Sequence, residues 1–329
     1  MWQIELSKFL RTPADLVAAG LISESLAASM QLVSRKYRIA ISPYYASLID
    51  KGNPHCPIFL QSVPRQTEDT PTAGFTEDPL EDARYQVAPR LTHRLRGRAL
   101  LHVTASCSMY CRFCFRKALL NESAHTLFSG NYGGALTYLQ QHAGIEEIIL
   151  TGGDPLMLED KQLHSLLAAL TKIETIRKLR IHTRVPVTFP IRIDESCLRS
   201  LNHAFDRKVI VVHFNHPKEL TEEALSACAR LQRRGYSVWN QSVLLKGVND
   251  EATTLCALFE RLLASNITPY YLHHPDRAQG TAHYYLRLEE GWKVFSEVKR
   301  RMPGSRLPRY VIDVLGAEGK KNVESMIGP

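Results

Sequence analysis

Hydrophobic and polar positions follow two different patterns along this chain. Over roughly the first 50 residues the apolar spacing is helical. "RTPADL" supplies a helix start, with Thr12 as N-cap, Pro13 in the first helical position and Asp15 three residues in. "SLAASMQLVSRKYRIAI" continues with mixed apolar spacing. The stretch from Lys51 to Arg90 is rich in Pro, Thr and acidic residues, which predicts an irregular connector lying outside the core.

Beyond residue 98 short β-type runs take over: "ALLHVT" (99–104), "EEIILTGG" (146–153), "LRIHTR" (179–184), "VIVVHFN" (209–215), "VWNQSVLL" (238–245) and "ITPYYLHH" (267–274). A seventh, "YVIDV" (310–314), follows the last helical stretch. Between or after them lie "KQLHSLLAALTKI", "ELTEEALSACARLQRRG", "ATTLCALFERLLAS" and "EEGWKVFSEVKRRM", which read as helices. Strands recurring about every 30 residues from the second run onward have the size of a βα unit and predict a parallel sheet. Six units fall short of the eight that close a TIM barrel, so the expected fold is α/β, a partial (β/α)6 TIM-type barrel. The expected organisation is a helical segment and connector over 1–90, the barrel over 91–305, and a strand with a short tail over 306–329.

Composition adds little to that picture. At 44% hydrophobic and 22% charged, the 329 residues are those of an ordinary globular protein. No secretory h-region is visible at the start and no run approaches a membrane span, which predicts a reduced, cytoplasmic protein with no membrane partner. The net charge of +8 is not gathered into one basic run. A solvated surface with phosphate- or carboxylate-binding pockets is therefore expected rather than a nucleic-acid partner. Cys56, Cys197, Cys228 and Cys256 are scattered and read as incidental or buried thiols.

The other three cysteines change the picture. "CSMYCRFCFRK" places Cys107, Cys111 and Cys114 in a C-x3-C-x2-C array just after the first strand. Zinc would need a fourth ligand, and neither a second CxxC nor a recognised spacing to His93 or His102 supplies one. A [4Fe–4S] cluster held by three cysteines keeps one iron for an outside ligand. This array resembles the signature of the radical S-adenosylmethionine (SAM) enzymes, where SAM chelates that iron; Phe113 before the last cysteine is common there too. "LTGGDPLM" puts Gly152, Gly153 and Asp154 directly after the second strand. A glycine pair lets a ligand approach the backbone closely, which suits the SAM amino group.

From about residue 88 to 322 the chain resembles the lysine 2,3-aminomutase family more specifically. The likeness is carried by "LTHRLRGRALLHVTASCSMYCRFCFRK", "LTGGDPLM", "RIHTRVPV", "VVHFNHP", "NQSVLLKGVND", "PYYLHHPD" and "VIDVLGAEGKKN". It implies pyridoxal 5'-phosphate (PLP) beside SAM and the cluster, with Lys320 as the PLP lysine, adjacent to Lys321. In this stretch Ala317 and Glu318 interrupt a loop that is richer in glycine in the family. The resemblance also sets Arg94, Arg184 and Gln241 around PLP, two arginines being suited to a phosphate ester. It puts His213 near SAM. Arg116 matches the binder of the substrate α-carboxylate, and Asp276 and Asp313 match the pair that holds a side-chain ammonium. Two carboxylates facing one pocket repel each other, and a bound ammonium relieves this, so lysine fits where glutamate would not.

The implied reaction is L-lysine 2,3-aminomutation of free lysine to (R)-β-lysine, driven by an electron donor such as flavodoxin or ferredoxin. "CRFCFRK" reads Phe where the catabolic mutases favour histidine, and no cysteine follows Cys256. Both features look like the elongation factor P β-lysylation protein B branch, whose β-lysine a separate ligase attaches to elongation factor P. Two other classes stay open: a radical SAM enzyme acting on another amino acid, or on RNA or protein without PLP, and a non-catalytic iron–sulfur or zinc protein.

Overall fold

The structure, a computed structural model, describes residues 2–121, 127–128, 130–317 and 319–327. Its centre is one sheet whose strands follow sequence order. They are β1 (Gln86–Ala88), β2 (Leu91–Leu95), β3 (Arg98–Thr104), β4 (Glu147–Gly152), β5 (Lys178–His182), β6 (Arg207–Val212), β7 (Ser237–Val243), β8 (Thr268–His273), β9 (Arg309–Ile312) and β10 (Lys321–Asn322). From β3 to β9 every neighbouring pair is parallel. Six crossovers join these seven strands, and all seven runs expected from the sequence are among them.

Five longer helices cover the sheet: Gly133–Gln141, Asp160–Leu170, Glu222–Arg233, Ala252–Ala264 and Leu288–Arg301. Each turns an apolar stripe inward, as Leu163, Leu166, Leu167 and Leu170 do on the second. The sheet is strongly curved, because Arg180 on β5 donates to the Tyr270 hydroxyl on β8 at 3.3 Å, across the intervening β6 and β7. β8 holds one residue more than β7 at this point: Asn240 pairs with Pro269 and Gln241 with Tyr271, which leaves Tyr270 over. Glu147 closes an ion pair with Arg180 at 2.7 Å, so this interior layer is polar yet satisfied.

β1, β2 and β10 have no counterpart in the sequence reading. β2 returns into β3 through a turn at Arg96–Gly97, where Gly97 adopts φ +82°. β1 lies in the expected 1–90 segment, β9 and β10 in the expected 306–329 segment, and all three join the sheet. Arg94 on β2 donates to the carbonyls of Val314 (3.0 Å) and Ala317 (3.2 Å) beyond β9, and so bridges the two edges.

The amino-terminal residues form six short helices between Trp2 and Ser62. Thr12 caps Pro13–Ala18 as expected: its hydroxyl accepts from Asp15 N (3.1 Å) and the Asp15 carboxylate accepts from Thr12 N (2.9 Å). Leu16, Met30, Ile41, Tyr45 and Ile58 share one hydrophobic core with the barrel. The connector departs from expectation. Within it Pro57–Ser62 is a buried helix, and Glu68 and Asp82 are buried acids. Pro, Thr and acidic residues suggest solvent, but these carboxylates are inside because cations wait for them there. Among the described residues no helix is long and apolar enough to cross a membrane.

Candidate active site

The three cysteines lie in the loop that leaves β3. The backbone turns tightly between the last two, with Cys114 N donating to Cys111 O at 3.1 Å. Cys107 and Cys114 pack against Leu119, Leu120, Leu127 and Phe128, while Arg184 Nη1 reaches Cys111 Sγ at 2.9 Å. Burial pushes the Cys107 thiol well up, helped by the charges of Asp154, Cys114 and Cys111. Burial and the charge of Cys111 push Cys114 up to about 11. The neighbouring cysteine charges thus oppose ionisation of Cys107 and Cys114.

The loop's cations are all paired. Arg112 donates to Glu68 from Nε and Nη2, and Lys117 Nζ reaches the same carboxylate at 2.8 Å. Burial disfavours the charge on Glu68, but Arg112 and Lys117 outweigh it and bring the carboxyl down to about 2. Burial lowers Lys117 to about 8 against the pull of Glu68. Arg116 Nε donates to Asp82 Oδ2 at 2.5 Å, and Nη1 is 3.4 Å from Thr151 Oγ1. Sequence reasoning missed Glu68 and Asp82. Nothing local marks them, since the partners lie 44 and 34 residues apart.

Gly152 ends β4 and Gly153 follows it. A Cβ on Gly152 would stand 2.7 Å from Thr104 O, and one on Gly153 would run into the Ala105–Ser106 backbone. Gly153 N donates to Thr104 O (2.6 Å) and Asp154 N to Ser106 O (2.8 Å). The close approach these glycines permit here is that of the cysteine loop's own backbone. Asp154 accepts from Thr183 Oγ1 (2.6 Å), Arg184 N (2.7 Å), Val185 N (3.1 Å) and Leu156 N (3.1 Å). Its carboxylate thereby ties the end of β4 to the turn after β5.

Arg184 and Arg94, both set around PLP by the resemblance, have different partners in the protein. Arg184 also donates to Gln61 Oε1 and Glu219 Oε1, both at 2.6 Å, and to His213 O at 3.2 Å. These contacts anchor it beside the cysteine loop, whereas Arg94 holds the carbonyls after β9. His213, just after β6, and Gln241, within β7, are hydrogen-bonded to each other. Burial, then Arg184, lowers His213 to about 3, so its imidazole is neutral.

The carboxy-terminal side of the barrel gathers Lys320, Asp313 and Asp276. β10 pairs antiparallel with β9, Lys321 opposite Ile312, and this hairpin folds Lys320 back onto Asp313. Lys320 Nζ donates to Asp313 Oδ2. Lys320 is partly buried and Lys321 is exposed. Glu318 lies outside the described residues. Desolvation in the barrel, then the charge of Asp313, raises Asp276 to about 7, against the pull of Lys320 and Arg116. His182 on β5 and His273 on β8 join this interior. Burial holds both imidazoles well below their usual basicity, and the charge of Lys320 adds to it. Their Nε2 atoms and Arg94 Nε are buried without a hydrogen-bond partner. Neither histidine was singled out in the sequence, though each is the last residue of its strand, which is where such sites are built.

Residues 101–256 match the radical SAM superfamily. The chain is 33% identical over 326 residues to the L-lysine 2,3-aminomutase of Escherichia coli (strain K12), covering 97% of this chain and 93% of that protein. It is 33% identical to the L-lysine 2,3-aminomutase of Bacillus subtilis (strain 168), covering 97% of this chain and 68% of that protein. To the enzyme of the same name from Clostridium subterminale it is 34% identical, over 88% of this chain and 69% of that one. The chain belongs to the L-lysine 2,3-aminomutase family.

As a member of this family it is a radical SAM isomerase whose cofactors are a [4Fe–4S] cluster, SAM and PLP. The donor sets fit these groups. Among the described residues no three His, Cys, Asp or Glu side chains converge on a single metal ion. A cluster does not ask that of them, because each cysteine ligates its own iron. Iron would also offset the mutual repulsion of three desolvated thiolates. For PLP the interior offers the Lys320 amine, together with unpartnered donors or acceptors on Arg94, His182 and His273.

Proposed function

We propose that this chain is a lysine 2,3-aminomutase that takes free L-lysine to (R)-β-lysine. The observation that carries the reading is the arrangement of charge in the barrel. A guanidinium, Arg116, stands on the side of the cysteine loop, and a pair of carboxylates, Asp276 and Asp313, stands with Lys320 on the side of β8 and β9. Arg116 takes the α-carboxylate and the two aspartates take the side-chain ammonium. Burial, and then the charge of Asp313, make Asp276 a weaker acid, and a bound ammonium would offset both. When bound, the cluster and SAM would supply the chemistry for hydrogen abstraction at Cβ, and PLP, with Lys320 as its resting anchor, would supply the support for nitrogen migration. The protein's part is to hold both ends of lysine and to keep water from the reacting carbon. His182, His213 and His273, all held neutral, add no competing cation next to the ammonium site.

A free amino acid is required on this reading, since a lysine within a polypeptide has neither a free α-amine for PLP nor a carboxylate for Arg116. Elongation factor P is then a downstream recipient of β-lysine through its ligase, and Phe113 supports that branch. The test is mass spectrometry of L-lysine incubated with reduced enzyme, SAM and PLP, in competition with unmodified elongation factor P carrying a different isotope label. A 3-amino product from free lysine is expected. Rearrangement of the protein-bound lysine, with free lysine untouched, would overturn the assignment.

A further inference from the structure

Arg116 does not stand alone in the barrel; Asp82 grips it from behind. The pair is buried on both sides and joins Arg116 Nε to Asp82 Oδ2 at 2.5 Å. An arginine can meet a carboxylate side-on, through Nε and Nη2, or end-on, through Nη1 and Nη2. Asp82 occupies the Nε position, so the edge left for a second carboxylate is the end-on one, whose Nη1 also has Thr151 Oγ1 at 3.4 Å. Arg116 also lies over the Phe115 ring, 4.4 Å from its centroid, which restricts the plane of the fork.

Asp82 is itself held firmly. It opens the short 3-10 turn Asp82–Tyr85, and the Asp78 carboxylate accepts from Asp82 N (2.9 Å) and Ala83 N (3.1 Å). Glu81, just before it, adopts φ +53°, a left-handed conformation that costs a residue with a side chain. The surrounding contacts over-determine this turn, and what they fix is the position of one carboxylate. The charge balance points the same way. Arg116 is within electrostatic reach of Asp276. A carboxylate behind Arg116 opposes its collapse across the barrel onto Asp276.

We infer that Asp82 is a positioning residue that aims the end-on edge of Arg116 at the substrate carboxylate and sets the preference for a free amino acid over its carboxamide. This rests on the assignment of Arg116 to the α-carboxylate given above.

The test compares L-lysine with L-lysine amide, which keeps both amines and loses the carboxylate charge. Each is titrated into PLP-loaded enzyme without SAM or reductant, and binding is read from the change in PLP absorbance, so no turnover is involved. The wild type should favour lysine on the order of 100-fold, the size expected for a charge-assisted bidentate contact. Asp82→Ala should lower that preference about tenfold, whereas Asp82→Asn, which keeps an oxygen acceptor for Nε, should largely restore it. Asp82→Glu retains the charge and displaces the grip by one methylene, and it should also lower the preference, which covers the case in which the alanine variant does not fold. Iron and PLP content are checked for each variant. Wild-type preference in both Asp82→Ala and Asp82→Glu, with the preference lost in Arg116→Ala, would overturn the role of Asp82 and leave the substrate reading standing. Wild-type preference in Arg116→Ala as well would overturn both.

Discussion

Lys320 Nζ donates to the Asp313 carboxylate across the β9–β10 hairpin. The amine that would carry PLP and a carboxylate that would hold a substrate ammonium thus neutralise each other within the protein. With Lys320 committed to PLP, Asp313 would be open to a second cation of the same type. Borohydride reduction of the PLP-loaded enzyme followed by peptide mapping should place the pyridoxyl label on Lys320. A label on the exposed Lys321 would break this relationship.

Asp276 predicts a pH dependence in two directions. Its carboxyl is raised to about 7 in the folded protein, so the stability associated with it is present below the unfolded value, near 4, and is lost as pH rises through about 7. Asp276→Asn should therefore melt at a higher temperature than the wild type at pH 8, with the gap narrowing at pH 5. Lysine affinity should run the other way, weakening by up to about tenfold per pH unit below 7, because protonated Asp276 cannot pair with the ammonium. Thermal melts and lysine titrations across pH 5–8 check both.

Each of Cys107, Cys111 and Cys114 should be indispensable to the cluster. Replacing any one by Ala should strip iron and sulfide and abolish SAM cleavage, both measurable on anaerobically prepared protein. Full iron and sulfide in all three variants would refute the ligand set.

Glu68 should behave as a buried counter-charge. Glu68→Gln leaves Arg112 and Lys117 with an amide in place of the anion. It should destabilise the fold by about 3–5 kcal/mol in chemical denaturation, the cost of breaking a buried ion pair from one side. With its carboxyl held near 2, the contribution is complete above the unfolded value of about 4.5 and disappears only as pH falls through about 2. A Glu68→Gln variant as stable as wild type at pH 7 would contradict this.

Arg116→Lys should bind lysine poorly, since a fork held at Nε becomes a point charge with no second edge to present. A titration of lysine into this variant at matched PLP content measures the loss, and affinity equal to wild type would reject the fork.

The barrel strands were legible because a buried parallel strand is a short apolar run and each helix between them has its own period. Cys107, Cys111, Cys114 and the Gly152–Asp154 turn were legible because their chemistry lies within a few residues. What stayed hidden depends on distant pairs. Glu68 and Asp82 sit in a stretch whose composition suggests solvent, and only the fold brings them to Arg112, Arg116 and Lys117. β2 escaped notice because "LTHRL" carries too little alternation to read as a strand. Arg94 and Arg184 were singled out only through the resemblance, and their partners, the carbonyls after β9 for one and Gln61, Glu219 and Cys111 for the other, come from distant parts of the chain.

Glu68 and Asp82 also fix how the connector would respond to a protease. The residues at 71–74 between them are exposed, whereas both acids are clasped inside and Thr76 N is bonded to Arg277 O at 3.0 Å. A cut in this span would sever the chain without releasing either anchor. The nicked protein should run as two fragments under denaturing conditions and elute as one particle under native ones, with the cysteine loop still gripped from both sides.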